Sequence, residues 1–400
     1  RLRPHAFSQS KTERRGNMKR FRSVWKKKAD VRIKGKKDHL GLKIALLALA
    51  VLLAAGAVYY FAFYLPGERA KIPSGVDPQP FLDPVSGQGS EGVEDWSHLQ
   101  KEAVIQYTTI NDPFIFGDEI VFSAASTAGG SVLYDRLVLY HTAEQSSQEI
   151  DVPVKYESIA WLQMNQDYIV WVDSSSDGGG RVCAYDRQKG EFFAIKDYVY
   201  ALPQLSLDGK YLAFLQQAGE ETDRLYLCDL STRESVTVKV FEGVPETSGA
   251  VHIQDGVLSY AVTYTEGDLI KSQVTLLSVQ TGQEHIYEWG RYVYAPKTSG
   301  RYTAFLSSAT GPADDIYLSE NGETPLLIAE EVLNFRMGDG YLCYTKGDNV
   351  YLYEFETGKT CRLNTSVSRG MLASAHGKSI CWYDVTSADD VDVVKYAKVE

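Results

Sequence analysis

Two acidic segments contain the residue types that could bind a metal ion. Residues 173–178 read Asp-Ser-Ser-Ser-Asp-Gly, and residues 389–392 read Asp-Asp-Val-Asp. Calcium takes about six to eight oxygen ligands from a loop of defined geometry, and neither segment has the EF-hand spacing. Aspartate, serine and glycine are also common turn residues. We therefore interpret both segments as turns, and we predict no metal site and no cofactor.

The sequence lacks the local motifs of common catalytic sites. It contains no G-x-S-x-G nucleophile elbow, no H-E-x-x-H and no P-loop. A literal G-x-G-x-x-G at 87–92 has no predicted strand before it and no helix after it, so it does not indicate dinucleotide binding. His141, His252, His285 and His376 lie at unrelated spacings. We predict no catalytic residues and no enzyme activity.

The framework that would position any functional group is a sevenfold repeat. Each copy has a tight turn followed by an apolar strand rich in aromatics, at 117–122, 166–171, 208–214, 255–260, 299–305, 339–344 and 377–382. A period in the low forties is typical of a β-propeller with one four-stranded blade per repeat. We predict an all-β, seven-bladed propeller. Six or eight blades stay open, because the loops are irregular.

The two ends of the repeat region predict how the ring closes. The last repeat has only three strands before the sequence ends, and residues 103–107 (Ala-Val-Ile-Gln-Tyr) precede the first repeat as an extra strand. Pairing that strand into the last blade would leave no open sheet edge. The five cysteines, Cys183, Cys228, Cys343, Cys361 and Cys381, lie in predicted strands without C-x-x-C spacing. We expect them to be small buried hydrophobic residues.

One repeat carries a family resemblance. Residues 203–214 (PQLSLDGKYLAF), followed by 224–229 (RLYLCD), resemble the TolB-type, WD-like propeller repeat, although Leu207 replaces the usual proline of its Ser-Pro-Asp-Gly turn. The resemblance implies a propeller and no particular activity. The family includes periplasmic interaction proteins and the propellers of prolyl-oligopeptidase-type enzymes, in which a hydrolase domain accompanies the propeller. We expect no such domain beside this one.

The N-terminal region predicts a membrane anchor. Residues 1–43 contain 16 basic and 3 acidic side chains, whereas residues 44–400 carry a net charge of −24. Residues 44–65 form an uncharged apolar stretch, long enough as a helix to span a hydrocarbon core of about 30 Å. The positive-inside rule places residues 1–43 in the cytoplasm and residues 66–400 outside it. A cleaved signal peptide is the alternative that we disfavour, because the apolar stretch is too long.

These observations divide the chain into a basic cytoplasmic tail (1–43), a transmembrane helix (44–65), a Pro/Gly-rich linker (66–100) and an extracytoplasmic propeller (101–400). The helix would contact the bilayer, and basic side chains of the tail would attract anionic lipid headgroups. Those side chains are Lys26, Lys27, Lys28, Lys34, Lys36 and Lys37. The acidic body argues against nucleic acid as a partner.

The functional hypothesis is a single-pass cell-membrane protein whose propeller binds or scaffolds envelope proteins or surface polymers without catalysis. Two alternatives stay open. A propeller-fold lyase or glycosidase could gather acidic and basic side chains from several blades at a ring mouth, which a linear sequence conceals. A transmembrane sensor could instead signal through the basic tail.

Overall fold

The computed structural model describes residues 92–107, 109–125, 133–219, 222–242, 250–307, 314–385 and 393–399. The predicted tail (1–43), the predicted membrane helix (44–65), most of the predicted linker and the acidic segment 389–392 lie outside the described residues. Within the described part of the chain, no helix is long and apolar enough to cross a membrane.

The described strands form seven sheets, which are the blades of a propeller. Two short strands come first: β1 (Glu94–Asp95) and β2 (Lys101–Glu102), separated by a 3-10 helix at Ser97–Leu99. Blade 1 consists of β3 (Ile110–Phe116), β4 (Glu119–Ala124), β5 (Arg136–His141) and β6 (Ser146–Ile150). Blade 2 consists of β7 (Ser158–Met164), β8 (Tyr168–Ser174), β9 (Gly180–Asp186) and β10 (Glu191–Tyr198). Blade 3 consists of β11 (Gln204–Asp208), β12 (Tyr211–Gly219), β13 (Thr222–Asp229) and β14 (Glu234–Glu242).

The remaining blades repeat this order. Blade 4 consists of β15 (His252–Gln254), β16 (Val257–Glu266), β17 (Leu269–Ser278) and β18 (Glu284–Glu288). Blade 5 consists of β19 (Tyr294–Ser299), β20 (Tyr302–Ser307), β21 (Asp314–Glu320) and β22 (Leu326–Val332). Blade 6 consists of β23 (Asn334–Gly338), β24 (Tyr341–Lys346), β25 (Asn349–Glu354) and β26 (Thr360–Arg362). Blade 7 contains β27 (Gly370–His376), β28 (Ser379–Asp384) and β29 (Val393–Lys398).

The hydrophobic core lies between the blades. Seven clusters of buried apolar side chains occur, one at each interface between neighbouring blades, including the interface of blade 7 with blade 1. Second and third strands supply most of these side chains because both faces of a middle strand are covered by neighbouring blades. The seven-bladed, all-β prediction is therefore confirmed. All five cysteines are buried and unpaired, as expected.

The N-terminal strands close the ring. β2 pairs antiparallel with β29 and becomes the outermost strand of blade 7. Closure by the segment ahead of the first repeat is confirmed, but the paired strand lies at Lys101–Glu102. Of the expected segment 103–107, only Ala103 joins the sheet, and its backbone N–H donates a hydrogen bond of 2.9 Å to Val394 O. Ile105 and Tyr107 of that segment instead pack against the apolar cluster between blade 7 and blade 1.

A fifth strand on blade 6 comes from the segment that the sequence assigns to the linker. β1 pairs in parallel with β26. Lys359 forms an ion pair of 2.7 Å with Glu94, and Arg362 forms one of 2.8 Å with Asp95. The chain therefore contacts blade 6, then blade 7, before it enters blade 1.

Candidate functional site

The innermost strands of the seven blades surround a central channel. Its cavity has a volume of about 460 Å³ and is lined by residues of every blade. This volume falls within the range of about 300–1,000 Å³ that is usual for small-ligand sites. The channel is therefore the candidate binding site of the propeller.

One layer of the channel wall contains one residue from each blade. These residues share a register beside the hairpin that joins the first and second strands, so the ring places them at one depth. We call them the middle layer: Phe114, Gln163, Ser206, His252, Lys297, Arg336 and Ser374.

Most polar members of the middle layer connect one blade to the next. The Gln163 side chain donates to Leu205 O at 2.5 Å and accepts from Leu207 N–H at 2.7 Å. Ser206 Oγ accepts from the backbone N–H of Ile253 at 2.9 Å. These bonds hold neighbouring inner strands together, so these side chains stabilise the wall as well as lining it.

His252 also connects two blades. Its Nδ1 accepts a hydrogen bond of 3.3 Å from the backbone N–H of Thr298. Nδ1 therefore carries no proton, and in the neutral ring the proton lies on Nε2. Burial, together with the positive charges of Lys297 and Arg336, holds the pKa of His252 well below its usual value. His252 is thus an uncharged imidazole at neutral pH.

Lys297 and Arg336 place positive charge in the middle layer. Lys297 Nζ lies 5.3 Å from the centroid of the Phe335 ring in the next blade. Arg336 donates from Nε to Ala373 O at 3.1 Å and from Nη1 to Phe335 O at 3.0 Å. Burial and the charge of Arg336 lower the pKa of Lys297 to about 7. Burial also lowers the pKa of the Arg336 guanidinium.

An aspartate and a tryptophan lie on the wall farther from the hairpin turns. Asp112 and Trp161 occupy bulges of β3 and β7, and both have positive φ angles, of 47° and 55°. The Asp112 carboxylate accepts the Trp161 backbone N–H at 2.6 Å. Burial raises the pKa of Asp112 despite this bond. The Trp161 side chain is 45% exposed although it lines the cavity.

The hairpin turns form an acidic rim at the opposite end of the channel. Asp208, Asp255 and Asp339 lie at the ends of inner strands, near His376. Burial raises the pKa of Asp255, with added repulsion from the other two aspartates. Burial lowers the pKa of His376 although all three aspartates oppose the shift. The channel therefore changes from acidic at this rim to basic in the middle layer.

The structure corrects the interpretation of Asp173 as a turn residue. Asp173 is the penultimate residue of the fully buried strand β8, and its carboxylate accepts the N–H groups of Lys155 (2.8 Å) and Tyr156 (3.0 Å). It also forms an ion pair of 2.8 Å with Arg181 Nε. Among the described residues, no cluster of acidic, histidine or cysteine side chains has the geometry of a metal site.

The fold brings two of the four histidines at unrelated spacings into the channel. His252 and His376 both line the channel, whereas His141 lies beside Glu119 (3.4 Å) and His285 lies on the outermost strand of blade 4. Sequence analysis did not single out Lys297, Arg336 or Asp112. The signal for Lys297 and Arg336 was present, because aligning the repeats at their hairpin turns puts them in one column.

Comparisons with known proteins agree with this architecture. No protein-family model matches the sequence, and no curated protein matches it. Among solved structures, the β-propeller domain of the Trilobed protease from Pyrococcus furiosus is similar, with a TM-score of 0.59 and 12% identity, covering 74% of this chain and 97% of that chain. The comparisons show the fold.

Further matches include peptidases and TolB. Acylaminoacyl peptidase from Pyrococcus horikoshii matches with a TM-score of 0.54 and 12% identity, over 76% of this chain and 54% of that one, so the similarity spans about half of the peptidase. TolB from Acinetobacter baumannii matches with a TM-score of 0.41 and 14% identity, over 57% of this chain and 63% of TolB. At these identities the likeness concerns the propeller and no activity.

Proposed function

We propose that this protein is a membrane-anchored extracytoplasmic binding module whose propeller holds another envelope protein or a surface polymer without chemical change. The observation that carries the proposal is the channel of about 460 Å³, lined by all seven blades. Polar side chains of its wall bond to neighbouring inner strands, which pre-organises the wall for binding. The uncharged segment 44–65 and its basic flank support the anchor.

Site-specific photo-crosslinking in native membranes tests the binding role. A photo-reactive residue at Met371, which lines the channel and is 44% exposed, should yield a defined adduct. The same residue at Val236, which is 59% exposed on the outermost strand of blade 3, is the matched control. Equal adducts at both positions, or none at Met371, would refute channel binding. Protease added outside intact cells should remove the propeller and spare residues 1–65 if the topology is correct.

A lyase or glycosidase is the second candidate, because five side chains with shifted pKa values line one channel. They are Asp112, His252, Lys297, Arg336 and His376. Such shifts concentrate at catalytic sites, although structural networks also produce them. Turnover of a polysaccharide or peptide substrate that Asp112→Asn abolishes would favour the enzyme, and adduct formation without turnover would favour the binding module.

A further inference from the structure

Two channel cations have no carboxylate at ion-pair distance within the described part of the chain, although Asp112 attracts Arg336 over a longer distance. Among the described residues, neither Lys297 nor Arg336 forms an ion pair with a carboxylate, and Arg336 is bonded only to backbone carbonyl groups. Charges held away from bulk water are normally paired, because the loss of hydration is costly. The unpaired positive charge therefore indicates that the channel accepts an anion from outside the chain.

The two cations are placed to act on one group. They occupy the same register on adjacent blades, 5 and 6, and both line the cavity. Each lowers the pKa of His252, and Arg336 lowers that of Lys297, so their fields overlap in the channel. Arg336 Nη2, which makes no hydrogen bond among the described residues, and the Lys297 ammonium can both donate to one carboxylate.

The rest of the channel limits how such an anion enters. The acidic rim with Asp208, Asp255 and Asp339 repels an anion at the hairpin end. The other end has exposed apolar side chains, Trp161 and Met371, among the lining residues. A ligand with an apolar part at that end and a carboxylate at the middle layer would therefore match both regions.

Two acceptors in the wall favour a peptide over a fatty acid. The side chains of Gln204 and Asn334 line the channel, and their Oε1 and Oδ1 atoms are buried without a hydrogen-bond partner within the described part of the chain. Both residues begin inner strands, on the same side of the middle layer as Trp161. If these side chains turn toward the channel, peptide N–H groups could satisfy both oxygens, and an alkyl chain could not.

We propose that Lys297 and Arg336 form an anion site that binds the carboxylate of an extended, apolar peptide segment entering past Trp161 and Met371. This inference rests on the proposed binding function and names the ligand class of its channel. The carboxylate is a C-terminus or an acidic side chain, and the apolar residues beside it contact the tryptophan and methionine.

The site has a characteristic pH dependence. Lys297 must be protonated to attract the carboxylate, and its pKa is about 7 in the empty channel. Affinity should therefore be constant below about pH 7 and fall by roughly tenfold per unit above it, until the complex itself loses the proton. The other titratable side chains that line the channel are Asp112, Asp208, His252, Arg336, His376 and Tyr383.

The experiment measures binding of N-acetyl-leucyl-leucine and its C-terminal amide to the full-length protein by calorimetry. We expect the acid to bind at least tenfold more tightly than the amide, with the pH profile above. Lys297→Met and Arg336→Met should each weaken binding of the acid about tenfold to hundredfold, the usual effect of losing a charged hydrogen bond. Lys297→Met should also abolish the fall above pH 7, whereas Asp112→Asn should preserve it.

Matched variants separate the anion site from effects on folding. Lys297→Arg should restore binding without the pH dependence, and Lys239→Met, on the outermost strand of blade 3, should change nothing. Arg336→Met removes two bonds to the backbone and can unfold the ring. In that case Lys297→Met decides the question, since among the described residues the Lys297 side chain makes a ring contact and no hydrogen bond.

Several outcomes would overturn the inference. Equal affinity for acid and amide would exclude carboxylate recognition, and tighter binding of inorganic phosphate would assign the site to another anion. If octanoate binds as tightly as the dipeptide acid, the site would be assigned to a fatty-acid or lipid carboxylate. If Lys297→Met retains both dipeptide affinity and the crosslinked adduct at Met371, the binding module stands and the anion site fails. If the protein with no change other than the photo-reactive residue at Met371 yields no adduct, the proposed binding function itself is refuted.

Discussion

Replacing Asp173 by alanine should be one of the most destabilising single changes in the ring. The Asp173 side chain is fully buried, and it satisfies the N–H groups of Lys155 and Tyr156. It also neutralises Arg181, which is 11% exposed and donates to Pro153 O at 2.6 Å. The alanine variant leaves one guanidinium and two backbone donors without their acceptor.

The expected loss in the free energy of unfolding follows from these lost contacts. Removing one partner of a buried ion pair costs about 3–5 kcal/mol. Asp173→Asn keeps the shape and one acceptor oxygen, so it should lose about 1.5–3 kcal/mol, the value of hydrogen bonds to a charged group. Glu149→Ala is the control, because the Arg136–Glu149 pair is 40% and 49% exposed, and such surface pairs contribute about 0–1 kcal/mol.

Denaturant unfolding of the full-length protein, followed by far-ultraviolet circular dichroism, measures these differences. Combining Asp173→Ala with Arg181→Ala should cost little more than Asp173→Ala alone, because the two residues act as a pair. A loss below about 1 kcal/mol for Asp173→Ala, or strictly additive effects in the double variant, would refute the argument. Calcium and chelators should leave the wild-type midpoint unchanged, since the carboxylate is already occupied.

Three further changes test other parts of the fold. Gly180→Ala should lower the unfolding midpoint, because its Cβ would lie 2.2 Å from Asp173 O, and an unchanged midpoint would mean that the backbone at the start of β9 yields. Ala103→Pro removes the backbone N–H that donates to Val394 O. Because this change exposes a sheet edge, it should lower the melting temperature and increase light scattering. Unaltered light scattering would contradict this expectation. Burial raises the folded-state pKa of Asp314 to about 6, above the unfolded value of about 3.9, so stability should fall as pH rises from about 4 to 6. Asp314→Asn should flatten that part of the stability profile, and an identical profile in the variant would assign it to other groups.

The sequence predicted the blades because each blade repeats a local signal. A hairpin turn between two apolar strands recurs in every repeat, and positive φ at glycine, 52° at Gly209 and 80° at Gly340, matches the glycine expected there. The strand pairing shows that the glycine does not occupy the same turn position in every blade. The two-residue turn is Gly209–Lys210 in blade 3, with glycine first, and Asp339–Gly340 in blade 6, with glycine second.

The channel was harder to predict because each blade contributes only one or two residues to any depth. Lys297 and Arg336 could be found by counting back from the hairpin turns. The same count fails farther along the inner strands, where bulges in blades 1, 2, 5 and 7 shift the register. Asp112 and Trp161 lie in two of these bulges, so no fixed spacing identifies them.

Asp173 was misinterpreted for a related reason. Its own neighbours, Ser-Ser-Ser-Asp-Gly, have the composition of a turn. Its role is instead set by Lys155 and Tyr156 in the preceding connection and by Arg181 in the following strand. Local composition carries no information about such partners.

The path of the N-terminal segment determines how a pulling force on the chain would reach the propeller. β1 and β2 contribute two paired residues each, to blade 6 and blade 7, and β2 seals the ring. Tension applied to the chain ahead of residue 92 reaches β1 first, where it strains the contacts of Glu94 and Asp95 with Lys359 and Arg362. Only after β1 detaches does the load pass to the sealing strand. If the N-terminal segment anchors the protein, as proposed, the anchor and the strand that closes the ring belong to one piece of chain, and a sustained pull would open the ring at blade 7.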